Sequence, residues 1–162
     1  MQKGPVHEAL KPLCWLIGKW KSIKTEGSYP TIQPFTYRDE IKFESIGQPI
    51  LNYSSTTWHP EKGNPMHLES GFLRIKPGTN EIAFMVSHNF GLTTLEEGCV
   101  CNNELTCKST QISRMSFVKD PSVVAIERSF KLIEGGNLEI ELLMETVRTP
   151  LTRHLRAVYE KV

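Results

Sequence analysis

Tyr37-Arg38-Asp39-Glu40-Ile41-Lys42-Phe43-Glu44 is the stretch on which the fold turns. Tyr37, Ile41 and Phe43 fall on one face, and Arg38, Glu40, Lys42 and Glu44 on the other. That period of two marks a strand with one wet face. The pattern continues outward along the chain. Ile50–Trp58 is rich in Tyr, Thr and Ser, and Glu81–His88 sets Ile82, Phe84 and Val86 against smaller or polar residues. Leu138, Ile140, Leu142 and Met144 alternate with Glu139, Glu141, Leu143 and Glu145, while Val123–Leu132 and residues 153–162 are also strand-like. Gly47-Gln48-Pro49, His59 to Gly63, Pro77 to Asn80 and Gly135-Gly136-Asn137 can each reverse the chain between neighbouring strands.

These runs predict an all-β fold of about ten strands in nearest-neighbour order. An open sheet of that size leaves two edges, and curling into an up-and-down antiparallel barrel removes them. The expected architecture is therefore a barrel of the lipocalin or fatty-acid-binding-protein kind. Glu8, Ala9 and Leu10 favour helix, so a short N-terminal helix precedes the strands, with a turn from about Pro12 to Ile17 that Gly18 stops. Residues 1–162 are read as a single domain without repeat or linker. A barrel of about ten strands is wider than its own side chains fill, so an apolar, uncharged-walled ligand cavity is expected inside.

Composition excludes some partners. The 162 residues carry 19 Lys and Arg against 18 Asp and Glu, a formal net charge of +1. That balance argues against nucleic-acid binding through bulk charge. No apolar run has the length of a signal peptide or a membrane helix, so a membrane partner is not expected and the cytoplasm is the expected compartment. Cys14, Cys99, Cys101 and Cys107 are expected as free thiols. The C-x-C-x5-C spacing of the last three fits no standard zinc site, although Cys99 and Cys101 would share one strand face. There is no Cys-x-x-Cys-His, so covalent haem attachment is not indicated.

Three stretches carry a family resemblance. The first is Gly18-Lys19-Trp20, followed by Gly27-Ser28-Tyr29-Pro30-Thr31-Ile32-Gln33-Pro34-Phe35-x-Tyr37-x-x-Glu40. The second is Pro65-Met66-His67-x-Glu69-Ser70-Gly71-Phe72, and the third is Thr149-Pro150-Leu151-Thr152-Arg153-His154-Leu155. Together, from about Leu10 onward, they resemble nitrobindin, a family of small ten-stranded barrels that hold haem. The family signature G-x-W-x-G-x-G-x-G is only partly kept. Gly18 and Trp20 match, whereas Ser22, Lys24 and Glu26 stand where glycines would be, as in animal members. Animal members also carry the barrel behind a zinc-containing DNA-binding domain. The residues here are accounted for by the barrel, so that domain is not expected.

The resemblance implies one non-covalent haem b per chain, mostly ferric. It also implies nitric oxide binding and isomerisation of peroxynitrite to nitrate, which limits tyrosine nitration. By the same resemblance His154 is the proximal iron ligand, Thr31 lies against the haem, Met66 and His67 form the distal pair, and Met144 lines the pocket. His67 would act without ligating iron, by donating a hydrogen bond to a bound anion or water. One conflict is internal. His154 shares parity with Arg156 and Val158, while Leu155, Ala157 and Tyr159 form the apolar face, so plain alternation sends His154 outward. A bulge or a place at the barrel mouth would reconcile the two. His7 is expected in the tail, His59 in a turn and His88 at the end of an alternating strand. The competing expectation is a non-catalytic carrier of a lipid or other apolar ligand. The nucleus is an alternative compartment, and a homodimer through an exposed strand an alternative to a monomer.

Overall fold

The computed structural model describes residues 4–162. In chain order the strands are β1 (Gly18–Tyr29), β2 (Ile32–Phe35), β3 (Arg38–Ser45), β4 (Ile50–Trp58), β5 (Pro65–Ile75), β6 (Glu81–His88), β7 (Leu92–Cys101), β8 (Glu104–Arg114), β9 (Val123–Leu132), β10 (Leu138–Thr146) and β11 (Thr149–Lys161). All pairings are antiparallel. From β3 to β11 each strand pairs with the next, β3 also pairs with β1, and β2 hangs on β1 alone. β11 then pairs with β1, from Trp20↔Lys161 to Gly27↔Leu155, and this closes the sheet. The ten-stranded barrel is as expected, with β2 as an eleventh, additional strand.

Burial follows the sequence period. Along β3, Asp39, Ile41, Phe43 and Ser45 are buried while Arg38 and Lys42 are exposed. β4 buries Leu51, Tyr53, Ser55 and Thr57 in the same way. Inward residues of neighbouring strands meet inside, which is where a closed sheet hides its apolar face. The turn between β7 and β8 is tight: Asn102 and Asn103 have φ of 48° and 59°. Asparagine tolerates that left-handed region, which a two-residue hairpin of matching twist requires.

The N-terminal helix is a 3-10 helix, Glu8–Leu16, and it starts earlier than the expected turn. His7, expected in the tail, caps it: its Nδ1 accepts from the Ala9 N–H at 3.1 Å. Leu10, Leu13 and Leu16 are three apart, and in a helix of three residues per turn they stack on one side. All three are fully buried in the barrel's core cluster. Each such leucine contributes roughly 1.5–3 kcal/mol of burial. The Trp20 indole N–H donates to the Leu16 carbonyl at 2.8 Å, tying helix to barrel. Phe43, Leu51, Leu73, Phe84, Leu105, Phe130 and Leu138 complete that packed half. No helix among the described residues is long and apolar enough to cross a membrane.

Candidate functional site

The other half of the barrel is hollow. A cavity of about 350 Å³ is bounded by Phe35 from β2, Ile140, Leu142 and Met144 from β10, Leu155 from β11 and Ile126 from β9, with Phe130 shared with the core. His154 lines this cavity, and so does its neighbour Leu155. Two consecutive residues of a regular strand cannot both face inward. The register shows how they do. Leu142 pairs with Leu155 and the next residue, Leu143, pairs with Arg153, which leaves His154 without a partner on β10. This is a β-bulge, a device that re-aims a side chain at the cost of one unpaired residue. It resolves the conflict between parity and motif.

The ring of His154 is fixed from two sides. Its Nδ1 lies 3.0 Å from the Ser28 carbonyl oxygen, which can only accept, so the hydrogen is on Nδ1 and the lone pair on Nε2. The Tyr29 ring meets it edge-on at 5.3 Å and the Phe35 ring lies 6.1 Å away. Tyr29 is itself held by its hydroxyl, which donates to the Met144 carbonyl at 3.0 Å. Burial lowers the pKa of His154, outweighing the Ser28 hydrogen bond that favours the charged ring, so the imidazole is neutral at neutral pH. A neutral imidazole with one nitrogen tied to a carbonyl and the other bare is able to ligate a haem iron.

Met66, His67 and Met144 line the same cavity. Thr31 does not. It lies in the exposed turn beyond the last β1–β2 pair, Tyr29↔Ile32, because the turn carries it past the end of the barrel wall. His88 lies on the cavity side, its side chain only 5% exposed, while His59 sits in a turn and accepts from the Glu61 and Lys62 N–H groups.

The expectation of an uncharged wall is overturned. Arg128 on β9 is buried and pairs with two carboxylates at once. Its Nη1 lies 2.8 Å from Glu69 Oε2, and its Nε lies 3.0 Å from both Glu96 oxygens. The Tyr53 hydroxyl donates to Glu69 Oε2 at 2.9 Å. Burial alone would raise the Glu69 carboxyl, but Arg128 and hydrogen bonds to His67 and His88 hold it well below the usual carboxylate range. Asp39 stands apart from Arg128. It accepts from Tyr159 at 2.7 Å and Ser55 at 3.0 Å, yet burial pushes it up to about 6. Sequence reasoning missed these residues because they come from separate strands and carry no shared motif. The cysteines do not cluster: Cys99 and Cys101 are exposed, and Cys107 is buried, its Sγ donating to Glu96 at 3.3 Å.

A closed β-barrel with a histidine bulged into its partly charged cavity is the frame of the site. Residues 9–161 match the family described as THAP4-like, heme-binding beta-barrel domain, and the chain belongs to that family. It is 44% identical over 165 residues to the rat protein named Peroxynitrite isomerase THAP4, covering 98% of this chain and 29% of that protein. It is 36% identical to the Arabidopsis thaliana protein named Peroxynitrite isomerase Rv2717c, covering 99% of this chain and 93% of that one. The chain thus spans less than a third of the mammalian relative and nearly all of the plant one. Among solved structures, the crystal structure of Rv2717c from M. tuberculosis superposes with a TM-score of 0.86 at 32% identity, covering 98% of this chain and 99% of that one. The resemblance to nitrobindin read in the sequence agrees with this family.

Proposed function

We propose that this chain holds one haem b non-covalently through His154, binds nitric oxide there, and isomerises peroxynitrite to nitrate. The observation that carries this reading is the β-bulge at His154, which turns a neutral imidazole into the cavity with its Nδ1 locked on Ser28. Two relatives that each align with nearly the whole chain bear the name peroxynitrite isomerase, which supports the reaction. When bound, the haem would supply a Lewis-acidic iron.

The chain's own residues do the rest. Tyr29 and Phe35 brace the His154 ring, so its Nε2 lone pair keeps one direction. Leu142, Met144 and Leu155 give the cofactor an apolar wall that excludes water. His67, with its side chain 36% exposed, can reach an incoming anion and donate a hydrogen bond to it. Carriage of a fatty acid is disfavoured, because the buried guanidinium that would take its carboxylate, Arg128, is already saturated by Glu69 and Glu96.

The test is a haem titration of the protein and of His154→Ala. The expected result is a Soret band and tight haem uptake that the variant loses. A normal Soret band and normal haem affinity in the variant would refute the assignment. Stopped-flow mixing of the haem-loaded protein with peroxynitrite then reads nitrate formation directly.

A further inference from the structure

His67 on β5, Glu69 two residues on, and His88 at the end of β6 bring three donor atoms to one point. His67 Nε2 lies 3.1 Å from Glu69 Oε1 and 3.1 Å from His88 Nδ1, and His88 Nδ1 lies 3.3 Å from Glu69 Oε1. The register explains the meeting: Glu69 pairs directly with His88 across β5 and β6, and His67 shares the parity of Glu69. Among the described residues this is the group of His, Cys, Asp and Glu whose ligand atoms converge closely enough for a metal ion.

With neutral imidazoles, hydrogen bonding alone leaves this triangle short of a proton. The Thr94 hydroxyl donates its hydrogen to Glu96 Oε1 at 2.8 Å, so toward His88 it can only accept. His88 Nε2 lies 3.3 Å from that oxygen and is therefore the nitrogen that carries the hydrogen. If the ring carries no second hydrogen, the other nitrogen, Nδ1, presents a lone pair to Glu69 Oε1, which is also an acceptor. Something positive therefore joins the two at 3.3 Å, either a proton on the ring or a metal ion. The single hydrogen of His67 Nε2 can point along only one of its two edges. The Glu96–Thr94–His88 chain is also the outer-shell arrangement that fixes the tautomer of a metal-bound histidine.

Charge points the same way. Glu69 and Glu96 share one buried guanidinium, Arg128, so a second positive charge, on a histidine or a metal ion, balances the pair. A tetrahedral ion with ligands at about 2.0 Å separates them by about 3.3 Å, close to the spacing found here. We propose that His67, Glu69 and His88 form a site for a first-row divalent transition metal, with a further position open to the cavity. Two imidazoles and one carboxylate suit zinc or ferrous iron rather than calcium or magnesium. The site does not rest on His154 or on haem.

The test uses Co²⁺ as a spectroscopic probe on the haem-free full chain, and zinc content of the haem-loaded chain after desalting. One equivalent of Co²⁺ with visible d–d absorption is expected. His88→Ala should weaken it by more than the roughly 10- to 100-fold that loss of an outer-shell partner costs. His67→Ala should do the same, and because that ring is half exposed it decides the matter if His88→Ala fails to fold. His154→Ala, and Cys99→Ser with Cys101→Ser, should bind Co²⁺ unchanged. No uptake of either metal, or uptake that both histidine variants retain, overturns the site and shows a shared proton instead. That result would leave the His154 assignment intact.

Discussion

His88 and His154 stand on opposite sides of one cavity. Around the ring of ten strands, β6 is five steps from β11 whether counted through β10 or through β1, and both histidines line the hollow between. Their surroundings differ in kind. His154 is held by a backbone carbonyl and two aromatic rings. His88 is held by Thr94, His67 and Glu69, at the edge of an ionic network. One wall is therefore largely aromatic and apolar, the other charged, and each can be perturbed separately.

Gly27 controls the first wall. The Phe35 ring lies directly over its bare Cα, and a Cβ at that position would collide with the ring. Gly27→Val should push Phe35 toward His154 and the cavity. We expect haem affinity to fall by at least about tenfold, a change of about 1.4 kcal/mol, with the secondary structure unchanged by circular dichroism. Unaltered haem uptake would show that Phe35 has room to move elsewhere.

Arg128 controls the second. Arg128→Met leaves Glu69 and Glu96 buried without their cation. Removing one partner of a buried ion pair costs about 3–5 kcal/mol. Urea denaturation should show a loss of that order. A loss under about 1 kcal/mol would mean that the two carboxylates find protons or water at little cost.

Much of this was legible in the residues, and the reasons are specific. Alternation in β3, β4 and β6 gave the barrel because each strand has one wet face. The parity of His154 left two ways to bring it inward, a bulge or a place at the barrel mouth, and the register shows the bulge. β2 escaped notice because Pro34 interrupts it and it touches β1 through only the pairs Gly27↔Phe35 and Tyr29↔Ile32. The ionic network was hidden for another reason. Arg128 lies 59 residues from Glu69 and 32 from Glu96, and only the register brings them together. Read singly on its own strand, each is an ordinary polar residue.

Asp39 gives a pH signature. Its carboxyl is pushed up to about 6 in the folded chain, against about 3.9 when unfolded. Between those values the folded state binds a proton that the unfolded state lacks, so stability from this group is full below about pH 4 and falls as pH rises to 6. The difference is up to about 3 kcal/mol. Asp39→Asn removes it. The unfolding free energy of the variant should therefore gain on that of the native protein from pH 4 to 6 and run parallel above. A gap independent of pH would contradict the buried carboxyl.

The thiols offer a simple check of the barrel interior. Cys14, Cys99 and Cys101 are exposed. Burial, with the Glu96 carboxylate beside it, pushes the Cys107 thiol well above its usual range. A chromogenic disulfide reagent should titrate three thiols in the folded protein and the fourth only in denaturant. Four rapid equivalents would place Cys107 within reach of solvent.

The seam between β1 and β11 has a consequence for biosynthesis. It joins Trp20 to Lys161, so the first barrel strand leaves the ribosome long before its partner exists. Pairing across such a separation is slow, and an open edge waits until it forms. The strand that completes the wall is also the strand that bears His154. A nascent chain thus has neither an enclosed hollow nor the His154 imidazole that lines it, and both arrive together when β11 docks.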